Sequence, residues 1–162
     1  MAPRVVVVGL GNPLLGDDAA GLAVADELER LLAVQPVPGV TVTRSYRGGL
    51  ELLNLVDGFD RAVLVDAIVY EDPVPGRVHE LDARGIAGSA RLVGSHEVDL
   101  TTALEVGRRA GLAMPVEVRV VGIEAADVLS FREQLSPAVA EAVREVARRL
   151  HGELAAQLAP PG

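Results

Sequence analysis

The chain has no cysteine, no tryptophan and no lysine, and each absence removes a class of explanation. Without cysteine there is no disulfide, thiol nucleophile or thiolate ligand, which leaves carboxylate and imidazole for any metal chemistry. That absence fits the cytoplasm. With two Phe and two Tyr among 162 residues, the core must be built from Val, Leu, Ala and Ile, as suits helices packed on a Val-rich sheet. All fifteen basic residues are Arg, and the formal net charge of −8 argues against a nucleic-acid partner, which needs a basic surface. No apolar run approaches the roughly 18 residues of a membrane span. The apolar N-terminus meets two Asp where a signal peptide would carry a small-residue cleavage site. A soluble, cytoplasmic protein with no membrane partner is the expectation.

What is present centres on Gly9-Leu-Gly-Asn-Pro-Leu-Leu-Gly-Asp-Asp18. It follows the apolar run Val5–Val8, long enough for a strand buried on both faces, and precedes a helical pattern. A glycine-rich turn between strand and helix usually cradles a phosphate. Here Gly16 is not followed by the Lys and Ser/Thr of a P-loop, and Leu14 stands where a dinucleotide turn needs glycine. Two aspartates at that point would repel an anion, so the better tenant is a cation.

Periodicity predicts a first helix from about Ala19 to Val34 and a strand at Val40–Thr43. A short helix follows through Leu53 and Val56, then a strand from Arg61 that closes on Asp66. A shorter strand follows near Arg77 to Leu81, a helix from Val98 to Ala110 and a strand from Val116 to Ile123. The last helix opens with Ser136 as N-cap and Pro137 at its first position, and turns Val139, Val143, Val146 and Leu150 to the core. Alternating strands and helices imply a three-layer αβα sandwich with a mostly parallel, roughly five-stranded twisted sheet. One domain spans residues 1–158, and Ala159-Pro-Pro-Gly162 is expected to fray.

In open α/β sheets, ligands gather outside the carboxyl ends of the strands. Asp17 and Asp18 follow the first strand, Asp66 ends the third, and His96 precedes a helix. Two carboxylates and an imidazole suit a divalent transition metal and leave coordination positions open, so that the metal can polarise a carbonyl or acidify water. Each residue taken singly also has a structural explanation, as an N-cap, a strand-end hydrogen bond or a helix entry. One cap accounts for only one of the paired aspartates, and Asp17 is assigned that role. Glu124 reads equally as a site residue or a solvated loop acid. His79, on an exposed-looking strand, and His151, at a helix C-terminus, are set aside. Serine chemistry has no support, since no G-x-S-x-G elbow exists.

The opening motif with Gly21, Val65-Asp-Ala67, His96 at the head of a helix, Val121-Gly-Ile-Glu124 and Leu135-Ser-Pro137 together resemble the [NiFe]-hydrogenase maturation endopeptidases over nearly the whole chain. The resemblance implies an aspartate-dependent endopeptidase that removes a C-terminal extension from a nickel-loaded hydrogenase large-subunit precursor. It maps the family's catalytic and metal-binding triad onto Asp18, Asp66 and His96, with nickel delivered by the substrate and no organic cofactor. Asn12 and Gly49 become substrate-binding positions, and the opening glycines bring backbone close to a substrate tail. One departure is visible. Members carry an acidic turn with glycine and threonine after the second strand, whereas this chain has Arg44-Ser-Tyr-Arg-Gly-Gly49, in which only Gly49 matches. Two further readings are a non-catalytic adaptor that checks nickel insertion and, from Gly9-Leu-Gly-Asn-Pro13, a peptidyl-tRNA-hydrolase-like esterase. The latter lacks the Thr-Arg-His-Asn stretch of those enzymes.

Overall fold

The computed structural model describes residues 2–46, 49–82, 91–92 and 100–162. Its elements in chain order are β1 (Val5–Leu10), a 3-10 turn (Gly16–Ala19), α1 (Ala20–Val34), β2 (Val40–Ser45), α2 (Leu50–Val56) and β3 (Arg61–Val69). Then come β4 (Val78–Asp82), the two-residue β5 (Arg91–Leu92), α3 (Leu100–Arg109), β6 (Glu117–Glu124) and α4 (Pro137–Leu158). The strands lie in the order β2-β1-β3-β6-β4, with β5 against the end of β3. β2, β1, β3 and β6 run parallel, while β4 and β5 are antiparallel to their neighbours. This is the expected mostly parallel sheet between helical layers.

Alternation along the strands feeds two cores. Val5, Val7, Val63, Val65, Val121 and Ile123 pack under α1 and α4, where they meet Val24, Leu28, Val143 and Leu150. Val6, Val8, Ala62, Leu64 and Val120 face the other way, against Leu52, Leu53 and Val56 of α2 and Ala103 and Leu104 of α3. A β-branched chain contributes roughly 1.5–3 kcal/mol when fully buried, so this valine sheet compensates for the scarcity of aromatics.

Two differences from the boundaries read in the sequence bear on the site. The helix after β1 is preceded by a tighter 3-10 turn that holds both Asp17 and Asp18, because the chain must pack against the sheet before α1 can start. β3 does not close on Asp66 but continues through Ala67-Ile-Val69. Those apolar residues pair with β6 as far as Glu124 and with β5, so Asp66 sits inside the sheet rather than in a loop.

Candidate functional site at the strand ends

Glycine determines how closely the opening turn approaches the sheet. A Cβ at Gly21 would run into the carbonyl oxygens of Leu10 and Val65, and one at Gly9 would meet the Gly21 carbonyl. A Cβ at Gly11, where φ is 152°, would strike the carbonyl of Asp18. These glycines therefore serve internal packing. They let α1 lie on β1 and β3, and that close approach brings Asp18 to the edge where Asp66 stands.

Asp18 is nearly buried and Asp66 is 0% exposed. The Ala67 N–H donates to Asp66 Oδ1 at 2.8 Å. Burial pushes the Asp66 carboxyl well above the usual carboxylate range, and the Asp18 charge pushes it further, against the pull of that N–H. The neighbours of Asp66 along β3, Val65 and Ala67, face α1 and α4, so alternation turns Asp66 to the α2 and α3 side. Across the register it faces Gly122 of β6, whose missing Cβ leaves room for the Ile68 side chain.

Among the described residues, no three His, Cys, Asp or Glu side chains form a group able to hold a metal. Asp18 and Asp66 supply two oxygen-bearing groups, and His96 lies outside the described residues. The donor chemistry fits a cation, since a positive ion beside both carboxyls would replace their repulsion with attraction. Asn12 sits in the opening turn, with its Oδ1 accepting from the Leu14 N–H at 3.0 Å. Gly49 is the N-cap residue of α2, at φ 63°, with open space where a Cβ would point.

Asp17 is not the cap assigned to it. Its carboxylate reaches away from its own helix and accepts from the N–H groups of Ala126 (2.8 Å), Asp127 (3.2 Å) and Ser136 (2.7 Å), and from the Ser136 hydroxyl (2.8 Å). Ser136 keeps the extended backbone of an N-cap, but its hydroxyl caps nothing in α4. The paired aspartates thus divide their work: Asp17 holds the β6–α4 connection, and Asp18 faces Asp66. No local pattern announces a bond that spans about 110 residues.

Glu124 is 2% exposed, not a solvated loop acid. It accepts from the Val74 N–H at 3.1 Å, and its other oxygen lies 2.8 Å from His79 Nε2 and 3.6 Å from Arg77 Nε. Burial alone would push this carboxyl up, but His79, the Val74 N–H and Arg77 together hold it below its ordinary value. The pair fastens the β3–β4 connection to the end of β6. His151 lies within α4, and its Nε2 is 2.8 Å from the Gln35 carbonyl oxygen, which joins α4 to the end of α1. Arg44, on β2, pairs with Asp26 and Glu29 of α1. The position where the chain departs from its resemblance is thus engaged within the molecule.

A sequence profile described as hydrogenase maturation protease matches residues 22–153, a span that holds Asp66 and His96 and begins after the opening turn. The hydrogenase 2 maturation protease of Escherichia coli K12 is 29% identical over 121 residues, 74% of this chain and 72% of that one. A putative hydrogenase maturation protease of Methanocaldococcus jannaschii is 29% identical over 154 residues, 93% and 96% of the two chains. Among solved structures, the hydrogenase maturating endopeptidase HybD from E. coli superposes with a TM-score of 0.73 at 24% identity, covering 93% of this chain and 91% of that one. The maturation protease HybD from Thermococcus kodakarensis superposes with a TM-score of 0.68 at 27% identity, covering 94% and 99%.

Proposed function

The chain belongs to the hydrogenase maturation protease family, whose members are hydrolases, and from that premise we propose that its strand-end carboxyls serve one cut near the C-terminus of a nickel-loaded hydrogenase large-subunit precursor. The observation that carries this reading is the burial of Asp66 beside Asp18. A buried carboxyl whose ionisation a neighbouring carboxylate opposes is poorly placed for stability. They are well placed to receive a cation that arrives with a substrate.

In this reading Asp18, Asp66 and His96 contact the nickel carried by the precursor, so that the scissile bond is held only when the metal has been inserted. Asp18, Asp66 and His96 would hold that nickel, which when bound would supply Lewis acidity toward a peptide carbonyl. The chain's own contribution is placement. Asp66 is fixed by the sheet and by the Ala67 N–H, and Asp18 by the glycine-packed turn. Asn12 and Gly49 border the approach for the C-terminal extension. His96 precedes α3, which packs on the face of the sheet toward which Asp66 points. In this reading the cut belongs to the cytoplasm.

Mass spectrometry of a large-subunit precursor before and after incubation, with and without nickel, tests the proposal. A precursor shortened only when nickel-loaded is the expected result, with cleavage lost in Asp18→Asn, Asp66→Asn and His96→Ala. A precursor that stays full length where an established maturation protease cuts it would overturn the reading. Binding of the precursor without any cut would support a checkpoint adaptor instead.

A further inference from the structure

The Asp17 clamp has a consequence for the surface beside the site. The β6–α4 connection is tied to the opening turn by that carboxylate and by three backbone bonds, and to β3 by a fourth. Gly16 N–H donates to the Arg132 carbonyl at 2.8 Å, Asp17 N–H to Asp127 at 2.8 Å, Arg132 N–H to Leu14 at 3.0 Å, and Ala125 N–H to Ile68 at 3.0 Å. Leu15 and Arg132 form a parallel bridge, a register that sets Phe131 opposite Leu14. The braced connection nevertheless leaves large apolar side chains in water: Leu14 is 52%, Leu129 85% and Phe131 88% exposed. One of only two phenylalanines in the chain is spent here rather than in the core.

Leu14 also lines a groove of about 360 Å³, whose apolar wall includes Pro13, Leu22 and Leu135, while Leu129 and Phe131 stand outside that lining on the adjoining connection. Asp26 and Glu133 also line it, and both are exposed. Asp26 and Glu29 share the single guanidinium of Arg44, so together with Glu133 the groove's surroundings keep a net negative charge. An apolar slot with acidic borders fits an apolar side chain with a basic residue nearby. Leu14 also lies four residues before Asp18 on the same packed turn.

We propose that this groove, with Leu14, Leu129 and Phe131, seats an apolar side chain of the precursor protein that has a basic neighbour. The contact docks the substrate before the bond reaches Asp18 and Asp66. This inference rests on the reading of the chain as a precursor protease. Exposed aromatic and aliphatic anchors on a braced support bind with little ordering cost, which is the usual economy of an interface hot spot.

The test separates docking from chemistry. In the Asp66→Asn background, in which the precursor should stay uncut, calorimetry measures affinity for the nickel-loaded large-subunit precursor relative to that background alone. The variants Phe131→Ser, Leu14→Ser and Glu133→Arg are each added to that background. Each should weaken binding by about tenfold, with an unchanged thermal midpoint because all three side chains are exposed. In the otherwise native protein the same changes should raise KM and leave kcat unaltered. Equal affinity in all three variants, or no binding by the unsubstituted surface, overturns the docking site while leaving any observed cleavage intact. A dimer by sedimentation that Phe131→Ser dissolves, with precursor affinity unchanged, overturns it in favour of a contact between copies. Tight binding by a wild-type protein that never cuts refutes the protease reading and keeps the surface.

Discussion

The two neighbouring aspartates show how identical residues acquire different work from their partners. Asp17 meets four donors and is fully engaged in holding a distant connection, whereas Asp18 raises the cost of ionising Asp66. Asp17→Ala should therefore act on stability first. It leaves four partly buried hydrogen bonds without their acceptor, a loss of about 1–3 kcal/mol, and urea unfolding at neutral pH should show a correspondingly lower midpoint.

Glu124 gives a pH prediction whose sign follows from its pairing. Its carboxyl is more acidic in the folded than in the unfolded chain, so the unfolded state binds more protons between the two values. Its contribution to stability is complete above the ordinary carboxylate pKa of about 4.3 and fades as pH falls through the depressed folded value. The stability difference between wild type and Glu124→Gln should be largest near neutrality and shrink in acid. Chemical denaturation at pH 7 and pH 3 would measure it.

At the scale of elements, the decisive junction is α1 on β1 and β3. The glycine pair Gly9 and Gly21 allows that helix to approach until backbone meets backbone. Gly21→Ala gives α1 better helix propensity, by about 1 kcal/mol, yet places a methyl against two carbonyl oxygens that cannot move without the sheet. Overpacking of this kind costs roughly 1–3 kcal/mol or more, so the net change should be destabilising. The 3-10 turn should shift with the helix, and cleavage should fall further than the lower thermal midpoint explains. Activity assayed well below that midpoint separates the two effects.

Over the whole molecule, α4 closes the larger core. Leu150, Leu154 and Leu158 are buried against the sheet and α1, whereas the residues from Ala159 onward are exposed. Ending the chain after Leu158 should leave the thermal midpoint essentially unchanged. Ending it after Arg149 removes three buried leucines, each worth roughly 2 kcal/mol or more, and should yield a chain without a cooperative transition by circular dichroism.

The order of strands and helices was legible in the sequence because local pattern sets it: consecutive valines for β1, helical spacing for α1 and α4, and Ser136-Pro137 for the start of the last helix. The sequence reads the opening turn as a cation site because two aspartates stand where an anion binder would need donors, and the tertiary structure turns one of them, Asp17, to the β6–α4 connection. The sequence left open which aspartate did what, since the partners of Asp17 lie about 110 residues away and are reached only when β6 lies beside β3. It also placed Asp66 at a strand end, although pairing with β6 carries β3 three residues further. Glu124 became a buried, paired group only through β4 and the loop before it. Side-chain identity and periodicity are local properties, and they determined the elements and the donor chemistry of the strand-end edge. Burial, charge coupling and hydrogen-bond partnership depend on distance in space, so only the tertiary structure decided which carboxylate braces the fold and which couples to Asp66.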